Sequence, residues 1–377
     1  MPQTQAVSGF VEIDLAQIAR NWQQLSAFVA PAACAAVVKA DAYGLGAAEV
    51  IPALVRAGCT TFFIATPSEA EEARALAPQA RILALDGLLP GSADGFARLG
   101  VTPVLSSLSD VETWARTGER IGRRLCAAIH VDSGLNRLGL TARDTRRLAA
   151  DTALCARIDI KLVLSHLASA DNPADPKNTD QLLAFETLSA LFPHIPRTLA
   201  ASDGLMLGRA FHFDLVRPGY ALYGGQASLN NQAPVGPVVR VSAAILAVTD
   251  VAPGESVGYG ATWRAQRPTR IATIAAGYAD GIARSSSSQD GKACGHVLID
   301  AHKAPIVGRV SMDLITVDVT DLPSLAVEPG SQAVLIGPGL TIEDAGYAAG
   351  TIGYEVLTRL GRRFSRRYLG AYETSGT

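Results

Sequence analysis

One lysine, two arginines, one histidine and a pair of tyrosines set between glycines carry most of the chemistry open to this chain. Lys39 closes the run Ala35-Ala36-Val37-Val38-Lys39, and Tyr43, Gly44 and Gly46 follow it. An amine at the tip of a buried strand can lose its hydration and work as a nucleophile or base. The alternative is a lysine that snorkels from the strand end to water. Arg137 sits inside the polar turn His130-Val131-Asp132-Ser133-Gly134-Leu135-Asn136-Arg137-Leu138-Gly139, which could equally be a charged surface turn. His166 ends an apolar run and is either a satisfied core residue or a ring that stacks on a flat ligand. Tyr259 and Tyr278 stand in Val257-Gly258-Tyr259-Gly260 and Gly277-Tyr278-Ala279-Asp280-Gly281, and Arg309, Met312 and Asp313 in a third polar turn. Such phenols are turn residues or are delivered to a distant site.

Short apolar runs must position these groups. Strands are expected at Cys34–Lys39, Thr61–Ala65, Arg81–Leu85, Val101–Leu105, Leu125–Val131, Ile158–Ser165, Arg197–Ala201 and Phe213–Arg217, with helical patterns such as Pro67–Leu76 and Gln181–Leu191 between them. Ser68 and the acidic residues Glu69, Glu71 and Glu72 mark a helix start. Eight strands alternating with helices point to an α/β fold, a parallel (β/α)8 TIM-type barrel, with an open doubly wound sheet as the rival. In a barrel the strand ends bring Lys39, Asp86, Ser106, Asp132, His166, Ser202 and Arg217 to one face, where such folds place their sites. The loops after the seventh and eighth strands commonly bind phosphate, and Ser202 with the amides near Gly219 and Tyr220 suits that role. Gly44-Leu45-Gly46 lacks the third glycine of a dinucleotide fingerprint, which argues against that cofactor.

Past Val239 the pattern changes to β runs punctuated by Pro/Gly turns, with helices nearly gone: Val241–Val248, Ile271–Ala275, His296–Ile299, Ile315–Val319 and Ala333–Ile336. We therefore expect a barrel over 10–239 carrying the reactive lysine and a mostly β domain over 240–377. The strand-like Phe10–Ile13 precedes the barrel and is expected to pair with the second domain, so that residues 1–13 join it. Ser285–Ser288 and Gln289-Asp290-Gly291 form a polar loop without assignable chemistry.

The composition is that of an ordinary globular chain of 377 residues, 48% hydrophobic and 18% charged. A net charge of -2 without a basic run points away from nucleic acid and anionic membranes. No run reaches a membrane span, and Met1–Ser8 lacks the features of a signal peptide. Five scattered cysteines, Cys34, Cys59, Cys126, Cys155 and Cys294, form no metal pair or disulfide framework, which suits a cytoplasmic home.

Taken together and in this order, the motifs resemble those of the alanine racemases over about Phe10 to Tyr368, with the spacing of Lys39, Arg137, His166, Arg217, Tyr259, Met312 and Tyr354 as the specific signal. The resemblance implies pyridoxal 5'-phosphate held by Lys39 as a Schiff base, in a homodimer whose β domain completes the partner's site. It implies two bases, Lys39 on one face of the substrate and Tyr259 from the partner on the other. Tyr43, Ser202, Tyr354 and the backbone near Gly219 and Tyr220 would hold the phosphate. Arg137 would meet the cofactor's phenolic oxygen and the substrate carboxylate, His166 the ring, and Arg217 the pyridine nitrogen. Tyr278, Met312 and Asp313 would border the substrate, and Arg284 the entry path. L- and D-alanine would interconvert, for peptidoglycan or alanine catabolism. Both bases have high ordinary pKa values, which positive neighbours are expected to lower. The chain departs from the pattern at His130, where many members have a lysine that becomes carbamylated, so Arg137 needs another anchor, a bound anion or a side chain. Ser311 replaces a cysteine, and Ala201 and Asp203 flank Ser202, Asp203 adding negative charge near the phosphate. A racemase of another amino acid such as serine, a related decarboxylase and a non-catalytic cofactor carrier are the rival readings. The glycine-run motif and C-terminal cysteine of the decarboxylases are missing, and the second domain with Tyr259 speaks against a carrier.

Overall fold

A computed structural model describes residues 8–226, 232–288, 295–323 and 327–370. Gln289-Asp290-Gly291, Cys294 and the two chain ends lie outside the described residues. The chain divides into two compact units, one of residues 18–236 and one of residues 1–17 with 237–377.

The strands of the chain's first 236 residues are β1 (Gly9–Asp14), β2 (Ala33–Cys34), β3 (Ala36–Val37), β4 (Thr61–Ile64), β5 (Arg81–Ala84), β6 (Thr102–Leu105), β7 (Leu125–His130), β8 (Ile158–Leu164), β9 (Arg197–Thr198) and β10 (Leu215–Val216). β3 to β9 pair in sequential order, all parallel. A doubly wound sheet would reverse its order part-way. Instead the sheet closes: β10 pairs with β2, Ala201 bridges Arg217, and the amides of Ala35 and Val37 donate to Val216 and Pro218. The first barrel strand is thus β2 and β3 together, and residues 18–236 form a (β/α)8 barrel. All four residues of β6 are buried, as expected of strands covered on both faces. The helices start where their caps dictate. Thr66 with Glu69 and Ser107 with Asp110 form capping boxes before Pro67–Leu76 and Leu108–Arg120.

The other unit is mostly β, built on β11 (Val239–Val251), β12 (Ser256–Val257), β13 (Trp263–Arg264), β14 (Thr269–Ile274), β15 (His296–Ile299), β16 (His302–Pro305), β17 (Ile315–Asp318), β18 (Gln332–Ile336) and β19 (Ser365–Leu369). β1 lies between β11 and β19, antiparallel to the first and parallel to the second. Its alternating burial, with Val11 and Ile13 inside, fits a sheet packed on one face. Helices do not vanish here: Ile342–Ala349 and Gly353–Thr358 follow β18. Thr341 and Asp344 box the first of these, a signal readable in Thr341-Ile342-Glu343-Asp344. No helix among the described residues is long and apolar enough to cross a membrane.

Candidate active site

Lys39 follows the first barrel strand directly, and the chain after it turns in an uncommon way. Ala40, Asp41, Ala42 and Tyr43 all take left-handed backbone angles, from φ 53, ψ 50 at Ala40 to φ 59, ψ 35 at Tyr43. Four residues with side chains make this turn, ahead of Gly44. Each such residue costs about 1–2 kcal/mol, so the turn must be held from outside. Glu69 does part of this: one carboxylate oxygen accepts from Ala40 N–H at 2.9 Å, the other from Ala65 N–H at 2.7 Å. Asp41 Oδ1 accepts from Ala47 N–H at 2.7 Å and caps the helix Ala47–Ala57. The Tyr43 ring packs on Tyr223 with centroids 5.0 Å apart, and the Tyr223 hydroxyl donates to Val37 O.

The Lys39 amine is held below its ordinary pKa, first by burial, then by Arg137, with Arg217 adding to the effect and Asp86 and Glu69 opposing it. Positive neighbours were expected to do this; desolvation is the larger cause. The same cluster includes His166, pushed down to about 3 by burial, Arg217, Arg137 and Lys39, and His130, pushed down to about 4 by burial and Arg217. Both imidazoles are neutral at physiological pH. Arg217 is buried at 3% exposure. Its Nη2 donates to Ser165 O at 2.6 Å and Leu199 O at 3.1 Å, and its Nε to Thr198 Oγ1 at 3.2 Å. Among the described residues no carboxylate pairs with it, and burial lowers its pKa to about 10. It still keeps its proton at neutral pH.

Ser202, Gly219 and Tyr43 form a cradle. The Ser202 hydroxyl accepts from the amides of Gly219 at 3.0 Å and Ala221 at 3.1 Å. A Cβ at Gly219 would collide with the Tyr43 hydroxyl, so glycine is needed for this close approach. Burial and Asp203 raise Tyr43 to about 12, which keeps its hydroxyl a donor. Hydroxyls, amides and a nearby guanidinium suit a phosphate. The Tyr220 side chain itself is buried, and Gly225 packs on its ring. The Arg137 turn is ordered by Asp132, whose Oδ1 accepts from the amides of Gly134, Leu135 and Asn136 at 2.9, 3.1 and 3.1 Å. Asn136 takes φ 57 there. His130 Nδ1 lies 3.4 Å from Ser106 Oγ.

The mostly β unit gathers a second set. Tyr259 opens a short 3-10 turn after Gly258 at φ 77, and the loop 257–260 packs on Gly308 and Arg309. The amides of Tyr278 and Ala279 donate to Ser311 O and Met312 O, so the Tyr278 and Met312 loops are laced together. Tyr259, Tyr278 and Met312 are 73%, 43% and 53% exposed. Asp313 bonds Arg363 at 2.6 Å, and Arg363 also pairs with the buried Asp280. This Arg363 clamp carries no local sequence signal, because its partners lie 50 and 83 residues away. Arg284 sits in the 3-10 turn Arg284–Ser286, and Tyr354 is half-buried on the helix Gly353–Thr358.

A closed barrel whose first strand ends in a desolvated lysine, beside two arginines and a neutral imidazole, has the makings of a barrel enzyme of amine chemistry. Comparison with known proteins narrows this. The chain matches the family models "Alanine racemase, N-terminal domain" over residues 13–227 and "Alanine racemase, C-terminal domain" over residues 238–368. It is 47% identical over 369 residues to an alanine racemase of Methylobacterium nodulans, covering 98% of each chain. It is 44% identical to an alanine racemase of Brucella canis, covering 97% of this chain and 94% of the other. Among solved structures it resembles alanine racemase from Bartonella henselae with covalently bound pyridoxal phosphate, at TM-score 0.91 and 38% identity over 97% of this chain and 100% of that one. The biosynthetic alanine racemase of Pseudomonas aeruginosa matches at TM-score 0.89 and 34% identity, over 96% of this chain and 99% of that one. The chain belongs to the alanine racemase family.

Proposed function

We propose that this chain is a cytoplasmic, pyridoxal-phosphate-dependent alanine racemase that interconverts L- and D-alanine as a homodimer. The observation that carries the reading is Lys39, desolvated at the barrel mouth and flanked by the positive charges of Arg137 and Arg217. The residues present fit the cofactor: Lys39 for covalent attachment, the Tyr43, Gly219 and Ser202 cradle for its phosphate, and Arg217 for its ring nitrogen. Tyr354 is assigned to the phosphate from the family resemblance. When bound, pyridoxal phosphate supplies an electrophilic carbonyl for the amino group and an electron-withdrawing ring that acidifies the α-C–H bond.

The protein's own groups then move the protons. Lys39, with its pKa lowered, exchanges a proton with the α-carbon on one face. The Tyr259 oxygen of a second copy serves the other face, since one base cannot readily reach both. Arg217 keeps its proton, so it could not protonate a ring nitrogen held against it, which would limit charge storage in the ring. Arg137 holds the substrate carboxylate, with Tyr278, Met312 and Asp313 bordering the substrate. The exposure of Tyr259, Tyr278 and Met312 on linked loops supports a partner surface there. The product serves peptidoglycan, or the enzyme serves alanine catabolism.

Incubation with pyridoxal phosphate and L-alanine in D2O tests the reading. Deuterated D-alanine is expected, together with α-deuterated L-alanine. A yellow protein that leaves the α-proton of L-alanine in place would overturn it.

A further inference from the structure

The helix Lys177–Ser189 buries a stripe of Asn178, Gln181, Phe185, Leu188 and Ser189. A helix packed on a barrel should bury apolar side chains along such a stripe. Its first turn and a half instead buries two amides, and Gln181 is completely enclosed at 0% exposure. Both ends of the Gln181 amide are used. Oε1 accepts from Ala168 N–H at 2.7 Å, and Nε2 donates to His166 O at 3.0 Å and lies 3.4 Å from Ser133 Oγ. Ser133 Oγ in turn lies 2.8 Å from Ser165 Oγ, and Ser165 O takes Arg217 Nη2 at 2.6 Å. Asn178 extends the clasp by donating to Ser169 O and Asn172 O. One side chain therefore ties the turn that carries Arg137 to the strand end that carries His166 and to the carbonyl that seats Arg217.

We propose that Gln181 is a positioning residue for the racemase reaction, holding His166 and the Arg137 turn in register with Arg217 through a buried amide clasp. The inference rests on the cofactor reading given above. The residue type follows from the two roles: the amide of Ala168 needs an acceptor and the carbonyl of His166 needs a donor, and a carboxamide supplies both. Gln181→Met would fill the same volume and leave both backbone groups unpaired in a dry site. Gln181→Glu would set a carboxylate against the His166 carbonyl, among Lys177 of the same helix, His166 of the sixth barrel strand end, Arg137 of the preceding turn and Arg217 of the last strand. When protonated, that variant's carboxyl regains one donor and one acceptor.

The test uses the holoenzyme, in three readouts: kcat and KM for L-alanine, circular dichroism of the bound cofactor, and hydrogen exchange of the peptide spanning 166–172. Gln181→Met is expected to lower kcat/KM about tenfold or more, to alter the cofactor's dichroic band and to speed exchange in 166–172. Gln181→Glu should approach wild type as the pH falls and depart from it as the pH rises. Wild-type kinetics and an unchanged dichroic band in Gln181→Met would overturn the proposal, as would a loss confined to thermal stability. Should the wild-type protein bind the cofactor but not racemise alanine, the substrate reading fails separately, and the dichroic band and exchange still report on the clasp.

Discussion

The two units place their chemistry in opposite environments. In the barrel, Lys39, His166, His130 and Arg217 crowd together, and burial lowers the proton affinity of each below its ordinary value. In the mostly β unit, Tyr259, Tyr278 and Met312 stand largely in water on loops laced by Gly308–Asp313. Interior packing sets up the first group within a single chain. The second group is held in shape by backbone bonds and the Arg363 clamp, but it lacks the low dielectric that gives a catalytic base its character. If the exposed set is to act, something must cover it, and a second copy of the chain is the cover proposed here.

The sharpest way to break this comparison is to remove the buried amine. Lys39→Arg keeps a cation at the strand end but cannot release its proton. Racemisation should fall by about a thousandfold or more, and the absorbance of covalently held pyridoxal phosphate should disappear. Retention of that absorbance would show that another amine carries the cofactor. Next in size is Tyr259→Phe, which removes only a hydroxyl from an exposed ring. Loss of a general base typically costs 10²–10⁴-fold, and here the loss should be face-selective. In D2O the variant should still exchange the α-proton of one enantiomer while interconversion collapses. Equal residual exchange from L- and D-alanine would contradict the two-base assignment.

A smaller effect is expected at Gly219→Ala. The added methyl meets the Tyr43 hydroxyl. Overpacking of this kind costs about 1–3 kcal/mol, or roughly 5- to 150-fold in cofactor dissociation constant. Tyr43→Phe in the same background removes the nearest contact but leaves a ring carbon 2.9 Å from the added methyl and loses a phosphate donor, so the affinity should stay low. A titration of apoprotein with pyridoxal phosphate reads both changes.

Much of the barrel site was legible because it lies at strand ends, where sequence order translates into position. Lys39, His166, Ser202 and Arg217 could be read as a ring once eight strands were counted, and the barrel closes as that count requires. What escaped was the means of holding the ring. The left-handed turn of Ala40 to Tyr43 leaves no mark in a sequence that offers glycines directly after it, at Gly44 and Gly46. Its brace, Glu69, reads only as an acidic helix start until the fold brings it beside Ala40. The clasp made by Gln181, and the way Asp132 orders the Arg137 turn, were invisible for a related reason: their main partners are backbone groups, which every sequence contains. The two C-terminal helices were lost to a count of turn residues, although the capping box of the first was written out in full.

The last prediction concerns the cost of the crowded barrel site. Burial and Arg217 hold His130 at about 4, well below the 6.5 of an unfolded histidine. Between those values the unfolded chain binds a proton at this position and the folded chain does not. The stability His130 contributes is therefore complete above pH 6.5 and is lost as the pH falls toward 4. From pH 7.5 to pH 5 the loss is about 2 kcal/mol for this one group. His130→Gln removes the titration and keeps a polar side chain near Ser106, so its urea midpoint should fall less on acidification than that of wild type. The Tyr259→Phe holoenzyme serves as the control from the exposed set, and its acid response should match wild type. Parallel pH curves for His130→Gln and wild type would mean that His130 is no more desolvated than a surface imidazole. The contrast between the two units would then rest on Lys39, His166 and Arg217 alone.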